Sequence, residues 1–280
     1  MIEGAAARFA CQTYIWQMSR DRYRGRLDHM ATVAADAGFS ALEPEVIMLG
    51  DHTDPVRVGE VLSTAGLQLA SLVLVADWRG PGETPEERVE ADRCIRFVQR
   101  FPGAVLLLVQ MPGENRRDLT SRRVNAIRRI NAVASRARDG GVHATFHPNS
   151  PQGSVFRTAA DYAILLAGLD PAVVGFTPDV GHIAAGGMDP LDVIKQYRSR
   201  VDHIHLKDID RAGTWAPTGE GVIDFGAIVS YLHETGFAGW IVLEDESATA
   251  ERDPDAAVRK NGEYVRRVLA PIVDGPRRRP

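Results

Sequence analysis

Residues 142–179 read VHATFHPNSPQGSVFRTAADYAILLAGLDPAVVGFTPD, and this stretch decides the fold. Its first six residues, VHATFH, are an apolar run of strand length and stop at a histidine. Thr158 and Asp161 then bracket a helix start, and Tyr162, Leu165, Leu166 and Leu169 follow at helical spacing. A second strand is expected at 173–178, before Asp179. Two strands joined through a helix require a parallel crossover, because a tight turn can link only antiparallel neighbours.

The same rhythm runs outward in both directions. Upstream, strands are expected at 8–14, 39–43, 67–75 and 104–110. The helices between them carry Leu27, Met30, Val33, Ala34 and Ala37, then Val58, Val61, Leu62 and Ala65, then Val89, Ile95, Val98 and Phe101. After the fourth strand, Val124, Ile127, Ile130, Val133 and Ala137 keep helical spacing up to Gly140. Thr84-Pro85-Glu86-Glu87 opens its helix with a cap, a proline and first-turn acids. Downstream, strands are expected at 201–206 and 240–243, separated by a long loop to Asp224 and a helix through Phe225, Ile228, Val229 and Leu232. Asp253-Pro254 opens the last helix. Eight strand–helix units in 280 residues predict a single (β/α)8 TIM barrel, α/β in class. The competing open doubly wound sheet would want a glycine-rich turn after the first strand, and QTYIW (12–16) stands there instead.

Composition narrows the rest. The chain is 44% apolar and 25% charged, which excludes a disordered polymer. Although 280 residues allow two domains, one barrel of residues 1–280 is expected, with 273–280, ending PRRRP, as a tail. A formal charge of −4 gives no field suited to nucleic acid or anionic membrane. Two cysteines, Cys11 and Cys94, fit a reducing cytoplasm better than a disulfide scaffold. No leader and no membrane span are read. Residues 48–50 and 75–78 are expected at a homo-oligomer contact.

Barrel chemistry sits where strands end, so those residues were compared. They include Gln12, Glu43, Glu45, Asp77, Gln110, His147, Asp179, His205, Lys207 and Glu244. The last four strands contribute His147, Asp179, His205 and Glu244. Two imidazoles and two carboxylates at one mouth suit Mn²⁺, Fe²⁺, Co²⁺ or Zn²⁺ better than Ca²⁺. His203 is expected to face the other side of its strand from His205, as a packing residue or a support behind the ligands.

CQTYIW (11–16), GFSALEPE (38–45), PDVGHI (178–183), HIHLKD (203–208), GEGVIDF (219–225) and GWIVLEDES (239–247) together resemble the sugar phosphate isomerase/epimerase superfamily of xylose isomerase-like barrels. The similarity is greatest to its inosose dehydratase-like branch. The resemblance implies Asp179, His205 and Glu244 as metal ligands, with His182 beside the ion towards substrate. Epimerases of the superfamily carry a glutamate at the end of strand five. His147 stands there here, which weakens a two-glutamate proton relay and makes His147 the expected fourth ligand.

The expected activity is therefore a divalent-metal-dependent isomerase or dehydratase. It would act on a non-phosphorylated sugar or keto-cyclitol through a metal-stabilised enediolate. The cofactor is one divalent ion, Mn²⁺ first, with Co²⁺, Zn²⁺, Fe²⁺ or Mg²⁺ as alternatives. Glu244, His182 and Lys207 are the expected catalytic groups, Lys207 polarising the carbonyl. Trp16, Glu45, Arg211 and Trp215 are expected to contact substrate. Two alternatives stay open: a sugar 3-epimerase type of enzyme, and a non-catalytic barrel acting as a subunit of a complex.

Overall fold

β1 (Arg8–Gln12) lies at the centre of the first half of the sheet, paired in parallel with β2 (Ala41–Glu43) on one side and β8 (Trp240–Leu243) on the other. β8 pairs in turn with β7 (His203–Leu206). β3 comes in two pieces, Gln68–Leu69 and Ser71–Ala76; the first pairs with β2 and the second with β4 (Val105–Gln110). β5 (His143–His147) and β6 (Val174–Phe176) complete the other half. The ring closes between β6 and β7 through two isolated bridges, Phe176↔Val201 and Asp179↔His205. In this computed structural model, residues 8–51 and 53–275 are described. The fold is the (β/α)8 barrel expected.

The helices that follow the eight strands are α1 (Leu27–Asp36), α2 (Pro55–Thr64), α3 (Pro85–Val98), α4 (Leu119–Asp139), α5 (Ala159–Gly168), α6 (Pro190–Gln196), α7 (Phe225–Glu234) and α8 (Pro254–Tyr264). Their starts follow local chemistry. Thr84 and Glu87 form a reciprocal capping box at α3, as do Thr158 and Asp161 at α5. Asp189 and Asp253 each cap a helix with proline in its first turn. Each box satisfies backbone N–H groups that the helix itself leaves unpaired.

Parity along the strands fixes the inside of the barrel. Ala10, Ala41, Ala70, Trp240 and Val242 form a small buried cluster of their own, apart from the main core between sheet and helices. One step towards the carboxyl ends on the same faces come Gln12, Glu43 and Glu244. Ile204, Leu206, Ile241 and Leu243 have the opposite parity and belong to the main core.

Several expectations are corrected here. The first strand stops at Gln12, whose side-chain oxygen accepts from Tyr14 N, and Tyr14–Gln17 is a helical turn. The loop after β7 contains an antiparallel pair, Asp208–Ile209 with Trp215–Ala216. Val273 is buried at the end of the short helix Ala270–Val273, so the expected tail does not begin there. The PRRRP end at 276–280 lies outside the described residues. Met48, Leu49 and Trp78 are buried in the chain's own core, which removes them from any contact surface. Among the described residues, no helix is long and apolar enough to cross a membrane.

Candidate active site

The carboxyl ends of β5, β6, β7 and β8 bring His147, Asp179, His205 and Glu244 together, all buried, with one donor atom from each within 4.8 Å of the others. His205 Nδ1 lies 2.7 Å from Glu244 Oε2 and 4.0 Å from Asp179 Oδ2. His147 Nε2 lies 3.4 Å from the same Asp179 oxygen. Asp179 Oδ1 accepts from His182 N at 2.8 Å, capping the helix Val180–Ala185, so Oδ2 is the oxygen turned to the cluster. The arrangement fits a divalent ion. Its donors are two imidazoles and two carboxylates, and buried His147 has no partner at Nδ1 and only the long Asp179 contact at Nε2.

A second layer lies beneath. Glu43 Oε2 accepts from Ser71 Oγ and meets His203 Nε2, each at 2.6 Å. Its other oxygen stands 2.7 Å from His205 Nε2, an ion-pair contact outside hydrogen-bond alignment. His203 is thus on the same face as His205, not the opposite one. Residues two apart on a strand share a side, and the expectation for His203 miscounted that period. Burial opposes ionisation of Glu43, but the two histidines outweigh it and hold the carboxyl far below its usual range. For His205, burial lowers the pKa while Glu43 and Glu244 raise it to about 10.

Lys207, on the same face of β7, is completely buried. Its Nζ contacts Glu246 Oε1 at 2.6 Å, Glu244 Oε1 at 2.9 Å, His182 Nε2 at 3.1 Å and Asp179 Oδ2 at 3.3 Å. Burial disfavours the ammonium, yet Asp179, Glu244 and Glu246 hold its pKa well above the ordinary lysine value. The expected direct contact of Lys207 with a substrate carbonyl is therefore corrected: carboxylates and His182 occupy its donors, and it is absent from the cavity wall. His182 is pushed down to about 3 by burial and by Lys207, so it is neutral at pH 7. Ser150 N donates to its Nδ1 at 3.2 Å and Ser150 Oγ sits 2.8 Å from the same nitrogen.

A cavity of about 650 Å³ opens over this cluster. Val73, Val75, Leu107 and Val109 form its apolar side, and Tyr14, Gln17, Glu45, His182, Trp215 and Glu246 are among its polar and aromatic residues. Glu45 is pushed up to about 7, mainly by burial, although Gln17 Nε2 donates to it at 3.0 Å. Glu246 is likewise pushed up to about 7, by burial and by Glu244, against the pull of Lys207. The Trp215 ring lies edge-on to His182, with centroids 5.3 Å apart.

Two expected substrate contacts are not brought to the cavity. Trp16 is fully buried and its Nε1 donates to Asp255 at 2.7 Å, because the helical turn at Tyr14–Gln17 rotates it away and presents Tyr14 and Gln17 instead. Arg211 is exposed on its loop and does not line the cavity. Glu220 pairs with Lys260. Sequence reading missed Glu246, Ser150 and Arg157. Glu246 had a signal, since it shares its strand-end parity with Glu244.

The sequence profile of the family described as xylose isomerase-like TIM barrel matches residues 31–268. The chain belongs to this family. An inosose dehydratase of Lacticaseibacillus casei is 29% identical over 154 residues, covering 49% of this chain and 51% of that protein. One of Geobacillus thermodenitrificans is 28% identical over 155 residues, covering 49% and 51%. The match thus spans about half the length of these curated relatives. Among solved structures, IolI protein with a bound zinc atom superposes with a TM-score of 0.75 at 17% identity, over 95% of this chain and 99% of that one. The probable 3-DHS dehydratase AsbF of Bacillus anthracis gives 0.73 at 15%, over 92% and 98%. Both superpositions show the shared fold.

Proposed function

We propose that the protein is a divalent-metal-dependent enzyme acting on a keto-cyclitol or sugar, with dehydration the reaction its site supports best. One observation carries the reading. A buried donor set of His147, Asp179, His205 and Glu244 adjoins a cavity whose walls include two carboxyls, Glu45 and Glu246, that burial pushes up to about 7. The inosose dehydratase relatives support the substrate class.

When bound, a divalent ion supplies Lewis-acid polarisation of a ketone and its neighbouring hydroxyl. The chain's own residues do the rest. Asp179, Glu244 and His205, with His147, provide the ligand atoms, and Mn²⁺ is the ion of first choice for this mixed set. Lys207 keeps Glu244 and Asp179 ionised and turned inward, so Glu244 serves as ligand rather than proton carrier. Dehydration takes a proton from the carbon beside the ketone and delivers one to the departing hydroxyl. A carboxyl with a pKa near 7 is half ionised at neutral pH and suited to either task. Glu45 and Glu246 are assigned these two roles. Trp215 shields the ion side from water, and neutral His182, held at Nδ1 by Ser150 and at Nε2 by Lys207, lines the cavity beside the ligand cluster.

The same carboxyl pair would serve two-base epimerisation, and a 3-keto-D-glucoside 4-epimerase from E. coli shares the fold. The products separate the readings. The Mn²⁺-loaded protein is incubated in D2O with a panel of inososes, ketoses and their carboxylated counterparts. For dehydration the product should be lighter by one water, and deuterium should enter at the carbon that lost the hydroxyl when the resulting enol returns to a ketone. Asp179→Asn should abolish both signals. Exchange without water loss would establish isomerisation or epimerisation instead, and neither exchange nor water loss with any panel member would defeat the enzymatic reading.

A further inference from the structure

Arg157 lines the cavity and is the arginine in its wall among the described residues, where no lysine lies. Its guanidinium meets only backbone carbonyls: Nε donates to Ser150 O at 2.8 Å and one terminal nitrogen to Ala185 O at 3.4 Å. The other terminal nitrogen has no partner among the described residues, and no carboxylate of theirs approaches the group. Neighbouring arginines differ. Arg116 and Arg123 both pair with Asp161, and Lys207 is surrounded by three carboxylates. An uncompensated, planar, two-pronged donor in a cavity wall is suited to a planar oxyanion.

The loop that carries it is held rigidly. Gly113 N donates to Gly153 O at 3.2 Å, and a Cβ on Gly153 would fall 1.4 Å from Gly113 O, so only glycine allows that approach. Arg122 donates to Gly153 O at 2.9 Å, Arg123 to Val155 O at 3.3 Å, and Arg116 to Ser154 O. Arg157 N donates to Asp161 Oδ2 at 2.9 Å. The guanidinium therefore has little orientation entropy left to lose on binding. Its anchor, Ser150, also holds His182, which places this prong on the His182 side of the ligand cluster.

Building on the proposed function, we propose that Arg157 is a recognition point for a carboxylate on the substrate, so that the substrate is an acidic cyclitol or sugar rather than a neutral one. A carboxylate is favoured over a phosphate on two grounds. A single guanidinium offers few donors for a phosphate, and Glu45 and Glu246 in the same wall would repel a dianion more strongly than a monoanion.

The test is titration calorimetry on the full-length Mn²⁺-loaded protein, with quinate as the carboxylated cyclitol, myo-inositol as the neutral one and myo-inositol 1-phosphate as the phosphorylated one. Quinate should bind at least about tenfold more tightly than myo-inositol, the scale of charge-assisted hydrogen bonds. Arg157→Gln should weaken quinate about 10- to 100-fold and leave myo-inositol within about twofold, and Arg157→Lys should recover part of the loss. Equal binding of quinate and myo-inositol, or absence of quinate binding to the loaded protein, overturns the proposal. So does an equal loss for both ligands in Arg157→Gln, which is the signature of a merely structural arginine, or tighter binding of the phosphorylated cyclitol. Failure to take up Mn²⁺ in the first titration is a separate result, and it strikes the metal-enzyme reading itself.

Discussion

Glu43→Gln keeps side-chain volume while removing one negative charge from beneath His205. The carboxylate serves three neighbours: Ser71 Oγ and His203 Nε2 at 2.6 Å, and His205 Nε2 at 2.7 Å. With Nε2–H of His205 facing Glu43, Nδ1 is the nitrogen turned to Asp179 and Glu244, and the one that gives up its proton to an ion. An amide supplies one acceptor where three donors converge, and its NH2 must face at least one of them. His205 is then free to carry its proton on Nδ1, the nitrogen the ion needs. Easier proton loss does not offset this, because Glu43 faces Nε2 whether Nδ1 holds a proton or an ion. Losing such a supporting partner typically costs about 10- to 100-fold in metal affinity, or about 1.4–2.7 kcal/mol. The broken buried pair should also lower unfolding stability by about 3 kcal/mol. Mn²⁺ calorimetry near pH 7.5 measures the first effect, and urea unfolding followed by circular dichroism measures the second. Glu43→Asp, which retains the charge one methylene further away, should fall between parent and Glu43→Gln. A folded Glu43→Gln protein whose Mn²⁺ affinity stays within about twofold of the parent would refute the reasoning.

Two further outcomes follow from the charged groups. Because His205 remains protonated up to about pH 10, an ion must displace its proton, so Mn²⁺ affinity should rise with pH by up to about tenfold per unit between pH 6 and 8; a flat profile would show that His205 is not a ligand. Asp161 caps α5 and pairs with Arg116 and Arg123; burial opposes its ionisation, but the N–H groups of Thr158 and Arg157 and the Arg116 guanidinium hold it below its ordinary 3.8. Its stabilisation is thus complete above that value and is lost as pH falls through the lower folded one, so Asp161→Asn should cost about 3 kcal/mol at pH 7 in urea titrations, with the gap closing below about pH 4.

The strands were legible because each is a short apolar run bounded by turn or cap signals, and those caps recur where Thr84, Thr158, Asp189 and Asp253 stand. Polar residues ending such runs, among them His147, Asp179, His205 and Glu244, could be found by position alone. Orientation was harder. His203 needed only the two-residue period, which places it with His205. Trp16 could not be placed, because the chain leaves the strand at Gln12 and a helical turn changes which side chains face inward. Arg157 and Ser150 come from a loop whose path is set by contacts to α4 and Gly113, distant in sequence. Glu246 lies two residues past Glu244, but its pairing with Lys207 depends on the β7–β8 register.

The staves of this barrel are not equally well joined. Seven neighbouring pairs share runs of ladder hydrogen bonds, but β6 and β7 meet only at Phe176↔Val201 and Asp179↔His205, the latter held by His205 N donating to Pro178 O at 3.0 Å. One prospective ligand stands on each side of that gap. Whatever grips both side chains acts as a rivet through the weakest joint of the wall, so loading the protein should slow amide exchange at His205 more than at the well-laced β4–β5 joint. Occupancy would then be felt as the tightness of the whole ring, not only as chemistry at its mouth.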